Sequence, residues 1–172
     1  ALISLASEEG YAGLGPAFTI NAWKALVAGD ILDDIRNAIK TIAVDPAEGL
    51  KILDEEHKKI MDSVSDVSGK SLYKQLKESA ETFNRIKTRI PIEKAPTIPV
   101  MGEIFVRRDA FSNKDIAARL AKKGFIAKTG HVTEWLHYVN YMIEEKLQEP
   151  EHDTFLGWMD FFLSSKVQKY ID

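Results

Sequence analysis

The sequence predicts an α/β domain, with a small, mostly parallel open sheet of about three strands beside a large helical layer. Three observations predict it. The stretch 97–130 reads as strand, helix, strand: the apolar run Ile98–Met101 ends at Gly102-Glu103, a helix runs from Lys114 until Gly124 stops it, and Phe125-Ile126-Ala127 is a second apolar run. That order is the grammar of a parallel crossover. Residues 20–90 carry helical periodicity over a span too long for one crossover, so they are expected to pack as a layer or subdomain beside the sheet. Ala1–Ala6 reads as a further short buried strand.

Each element has its own reason. After Ala1–Ala6, the loop Ser7–Pro16 holds Gly10, Gly13 and Gly15, spaced differently from a dinucleotide fingerprint. The first helix is expected over Ile20–Ile42. Trp23, Leu26, Val27, Ile31, Ile35, Ala38, Ile39 and Ile42 recur at three- and four-residue steps and share one face. Asp30 falls on that face. A carboxylate in an apolar stripe must find a partner or change its pKa, and a helix-to-loop hydrogen bond or a subunit contact is the favoured reading. Asp45-Pro46-Ala47-Glu48 is a helix start, with Asp45 as cap, Pro46 in the first turn and Glu48 able to reach back. The second helix runs to about Val64 with Leu50, Leu53, Ile60, Met61 and Val64 inward, and His57 joins that face as a core residue.

Gly69-Lys70-Ser71 echoes the end of a phosphate-binding loop, but position 64 is Val where that motif needs Gly, and a helix precedes it. It reads instead as the break before a third helix over Ser71–Ile90. Pro91, Pro96 and Pro99 then close the helical section. C-terminal helices are expected over 133–171: one from Thr133 or Glu134 to before Pro150, and one over His152–Ile171 with an aromatic stripe that suggests a docking face.

Composition narrows the function. A chain of 172 residues can bury roughly 70% of its unfolded surface. A net charge of -3 with no basic stripe argues against a nucleic-acid partner. No apolar run approaches the ~20 residues of a membrane span, and the first residues lack the basic start of a signal peptide, so a cytoplasmic location is expected. The sequence contains no Cys, which excludes thiol nucleophiles and cysteine ligation of iron–sulfur clusters by this chain. The start on Ala1 within a strand-like run suggests a single domain, or a domain fragment, of a larger protein. His131, Glu134 and His137 lie close in sequence but read as an accidental set, so no metal is assigned.

Ligands of parallel sheets collect beyond the carboxyl ends of the strands. Glu103, Arg107, Arg108, Ser112 and Asn113 all fall there. Glu103 reads as a polar anchor, the arginines as phosphate or carboxylate binders, and Ser112-Asn113 as a helix start with free N–H groups. A mutual Glu103–Arg107 salt bridge and a plain helix cap are the structural alternatives. Asp30 and Glu134 are supporting candidates behind that set. No residue is assigned a catalytic role.

Two stretches carry a resemblance. One is Tyr11-Ala12-Gly13-Leu14-Gly15, Phe18, Ala22-Trp23-Lys24-Ala25 and Val27 through Asp34; the other is Val100-Met101-Gly102-Glu103-Ile104-Phe105-Val106-Arg107, Phe111-Ser112-Asn113 and Val132-Thr133-Glu134-Trp135. In this order the chain resembles the dehydratase-like part of the large activase-related proteins of the 2-hydroxyacyl-CoA dehydratase and benzoyl-CoA reductase family. It departs from the family pattern at Ala110, where Pro usually precedes Phe-Ser-Asn, and at Arg108.

The resemblance implies a parent system with an ATPase activase module, iron–sulfur clusters on cysteines and ATP-driven electron transfer to an acyl-CoA. This chain would then supply scaffold and part of an acyl-CoA or anion site, with no redox chemistry and no cofactor of its own. Its partners would be the rest of the parent chain or an activase or cluster-bearing domain. The alternative is a docking domain that binds no small molecule, with Asp33, Asp34 and the last helix as contact surfaces.

Overall fold

The computed structural model describes residues 15–145 and 147. They belong to two compact units, one formed by 25–132 and the other containing 15–24 and 133–145 with 147. The element order is α1 (Gly15–Ile42), α2 (Pro46–Ser63), α3 (Lys70–Phe83), a single 3-10 turn (Ile92–Lys94), β1 (Thr97–Val100), α4 (Ile104–Arg108), α5 (Ile116–Ala121), β2 (Ile126–Thr129) and α6 (Val132–Glu144). The class is α/β: helices combined with a parallel strand pair. The third expected strand, Ala1–Ala6, and the last expected helix lie outside the described residues.

Strands β1 and β2 pair in register from Thr97 opposite Ile126 to Val100 opposite Thr129. Ile126 donates to the Pro96 carbonyl and Gly130 to the Val100 carbonyl, so even-numbered residues of β2 bond toward β1. The odd carbonyls, Phe125 and Ala127, point to the other edge. Helix α1 meets them there: the Asn37 amide donates to the Ala127 carbonyl at 3.1 Å and the Thr41 hydroxyl to the Phe125 carbonyl at 3.3 Å. An open strand edge invites pairing with other chains, and these two buried side chains cap it.

The core of the 25–132 unit sits among α1, α2 and α3. Ala28, Leu32, Ile39 and Ala43 of the first helix and its end meet Leu53, Ile60 and Val64 of the second and Leu72 of the third. A smaller cluster of Ala38, Ile42 and Ile126 joins α1 to the sheet. Within the expected α1 stripe, Ile31 is 47% exposed while Leu32 is buried at 4%. Leu32, rather than Ile31, continues the face defined by Ala28, Ile35 and Ile39.

Helix α2 starts as its sequence requires. The Asp45 carboxylate accepts from the Ala47 and Glu48 N–H groups, both at 3.0 Å, and Pro46 takes the first turn. Helix α3 ends at Phe83, seven residues before the expected Ile90. The chain is recruited into an antiparallel bridge, Thr88 with Ala43, flanked by bonds from Val44 to the Lys87 carbonyl and from Arg89 to the Ile42 carbonyl. Backbone pairing to the α1–α2 turn outcompetes further helix. Ile104–Arg108 is helical in α4. Helix α5 starts at Ile116 rather than Lys114, because Lys114 and Asp115 both have left-handed backbone (φ 53° and 49°).

A buried polar pin joins α2 to α3. The Ser79 hydroxyl donates to Glu56 at 2.7 Å, Gln75 donates to both Ser79 and Glu56, and Lys59 pairs with Glu56 at 2.6 Å. Burial pushes the Glu56 carboxyl up, but Lys59 and Ser79 together outweigh it and hold it below the usual carboxylate range. A lowered folded pKa stabilises above the unfolded value of about 4.3 and loses that stabilisation as pH falls through the folded value. Glu56→Ala is therefore expected to lose about 1–3 kcal/mol at neutral pH, since Ser79 and Gln75 lose a buried acceptor. Urea melts at pH 7, 5 and 3 check this, and the gap between variant and parent should narrow at the acid end.

Candidate functional site

The site lies within the 25–132 unit, where α1 passes the loops that follow β1 and β2. Asp30, Asp33 and Asp34 stand three and four residues apart, so all three carboxylates share one side of α1. Asp30 is 3% exposed and accepts from the Arg108 guanidinium and, at 3.2 Å, from the Val132 N–H. Arg108 reaches Asp33 with its other terminal nitrogen at 2.8 Å. Asp34 pairs with Lys128 and lies 2.9 Å from the His131 ring nitrogen, which is itself 3.3 Å from Lys128. The carboxylate row thus ties α4, β2 and the loop after β2 to one helix.

Arg107 is positioned differently. Its guanidinium donates to the Gly102 carbonyl at 3.4 Å and to the His131 carbonyl at 3.5 Å, spanning the ends of both strands. It packs against Gly130, where a Cβ would come within 2.8 Å of Nη1 and 3.1 Å of Cζ. Gly102 has φ 135°, a conformation that favours glycine, and makes the turn from β1 into α4. Arg107 Nε is buried without a hydrogen-bond partner, and among the described residues Arg107 enters no ion pair. A guanidinium held by neutral carbonyls retains its full charge for an anion.

The other sequence candidates have structural partners. Glu103 caps α4, accepting from the Val106 N–H at 2.9 Å, and no Glu103–Arg107 salt bridge forms among the described residues. Arg108 is committed to Asp30 and Asp33. Ser112 is not a helix start: its N–H and hydroxyl both donate to Asp109. That hydroxyl, followed by backbone N–H groups, holds the Asp109 carboxyl below its ordinary range. Asn113 accepts from Ile116 N–H at 3.2 Å and donates to the Arg107 carbonyl at 3.0 Å, which fixes the backbone behind the guanidinium. Asp115 caps α5.

Asp33 and Asp34, the contact residues of the docking reading, make ion pairs within the unit, Asp33 with Arg108 and Asp34 with Lys128. The sequence reading missed Lys128 and the anchoring role of His131. The three-carboxylate row on α1 was the signal that could have found them, since it demands cations from elsewhere.

In the other unit, Glu134 lies exposed in the first turn of α6, and the His137 ring meets Trp23 edge-on with centroids 5.8 Å apart. Among the described residues no group of three or more potential ligands could hold a metal. None of their helices is long and apolar enough to cross a membrane. Comparison with protein-family models, curated proteins and solved structures finds no match.

The two arginines are expected to behave oppositely. Arg108→Ala removes the guanidinium that pairs with the buried Asp30 carboxylate and should cost about 3 kcal/mol in a urea melt. Arg107→Ala removes only two long bonds to carbonyls and should stay within about 1 kcal/mol of the parent.

Proposed function

We propose that this chain is a domain of a multidomain acyl-CoA dehydratase- or reductase-type system of the activase-related kind. It supplies scaffold and one anion-recognition point, and performs no redox step itself. The resemblance of residues 11–34 and 100–135 supports the family reading. In that reading Ala1–Ala6 adds a third strand to the sheet, and the helices form a layer against it. The iron–sulfur cluster and ATP belong to other parts of a cytoplasmic system, the rest of the parent chain or an activase or cluster-bearing domain. The absence of Cys from this chain supports that division.

The observation that carries the anion point is Arg107: a guanidinium with no ion pair among the described residues, packed against Gly130 at the carboxyl ends of two parallel strands. The phosphates of coenzyme A are suitable anions for it. Calorimetric titration with coenzyme A and acetyl-CoA tests the proposal. Saturable binding is expected, lost in Arg107→Ala and weakened in Gly130→Ala, whose new methyl displaces the guanidinium tip without breaking the fold. No binding by the parent chain, or binding unchanged in Arg107→Ala, overturns the anion point.

A specific observation favours the docking reading as second. Met101, Phe105 and Phe111 are 71%, 79% and 93% exposed within eleven residues. Large exposed apolar side chains close in sequence suit a protein contact. In that case sedimentation with an activase module should show a complex that Phe105→Ser with Phe111→Ser abolishes, while coenzyme A binding is absent.

A further inference from the structure

We infer that the apolar cleft between α1 and the segment following α3 binds a medium-chain fatty acid, independently of Arg107. The cleft has a volume of about 380 Å³, within the roughly 300–1,000 Å³ range of small-molecule sites. It exists because α3 stops at Phe83. The chain then crosses to bridge Ala43 through Thr88, and helix no longer covers the adjacent stretch of α1. Ile35, Ile39 and Ile42 line the cleft from α1, and Phe83 and Ile86 line it from the end of α3 and the segment after it.

The polar lining is sparse and confined to Asn84 and Thr88, both exposed. Neither side chain has a hydrogen-bond partner among the described residues, so both are available to a ligand's head. The same segment is cationic: Arg85, Lys87 and Arg89 alternate with the lining residues, and residues 82–92 contain no acid. Among the described residues none of these three enters an ion pair; Arg89 donates instead to the Thr41 carbonyl. In a chain of net charge -3 this is a local positive field beside an apolar cleft. The complementary ligand has an apolar tail and a single anionic head. A neutral hydrocarbon would not use the cations, and a polar ligand would leave the isoleucines unmatched.

The test is a calorimetric titration of the whole chain with decanoate, below its micelle concentration, with decanol as the neutral control. Saturable decanoate binding is expected, with decanol weaker by about tenfold or more. Ala80 is exposed on α3 and lines the cleft, so Ala80→Phe should fill it and weaken decanoate by about tenfold or more. Lys87→Glu, an exposed position, should weaken decanoate and leave decanol unchanged, and it serves if Ala80→Phe does not fold. Arg107→Ala should bind decanoate like the parent, which separates this site from the anion point above. Absence of saturable decanoate binding, equal affinity for decanol, indifference to both cleft variants, or loss in Arg107→Ala would each overturn the inference.

Discussion

The buried carboxylate of Asp30 is the constraint on which the 25–132 unit turns. An ionised group at 3% exposure is costly unless it is paired and hydrogen-bonded. Two of its partners come from far along the chain: Arg108 in α4 and the Val132 N–H beyond β2. Satisfying Asp30 therefore requires the turn after β1 and the loop after β2 to sit against the same part of α1. Asp33 and Asp34 extend that demand to a second contact of Arg108 and to Lys128 and His131. Water and salt screen these outer pairs, so they refine the placement more than they stabilise it.

Helix α1 is consequently both wall and edge cover. On one side it packs into the three-helix core through Ala28, Leu32 and Ile39. On another it sends Asn37 and Thr41 to carbonyls of β2 that would otherwise be unpaired. A two-stranded parallel sheet has little stability alone, because parallel pairs need covering elements. The helix supplies both apolar cover through Ala38 and Ile42 and polar satisfaction of the edge.

The same economy explains why the charges after β1 divide into two kinds. Arg108 and Glu103 are consumed by the fold, one by carboxylates and one by a helix cap. Ser112 is consumed by Asp109 in the loop, and Asn113 by the Arg107 carbonyl and the first N–H of α5. Arg107 is held by carbonyls and packs against Gly130, so its charge is positioned yet not neutralised by an ion pair among the described residues. Neighbouring arginines in the chain thus carry different meanings, and only their partners distinguish them.

Local rules were sufficient for several features. Asp45-Pro46 starts α2, Gly124 closes the turn after α5, and two short apolar runs around a helix make a parallel strand pair, because capping, backbone freedom and periodicity act over a few residues. The region beyond β1 was also legible as the place where charged groups gather. Tertiary structure alone decided the rest. Whether α3 continued past Phe83 depended on a bridge to Ala43 forty-five residues away, and Ser112-Asn113 became a loop because Asp109 claimed Ser112. Which arginine was neutralised depended on a carboxylate row on α1 more than seventy residues earlier in the chain. Long-range pairing sets these outcomes, and a hydrophobic period carries no record of which distant group will satisfy a charge.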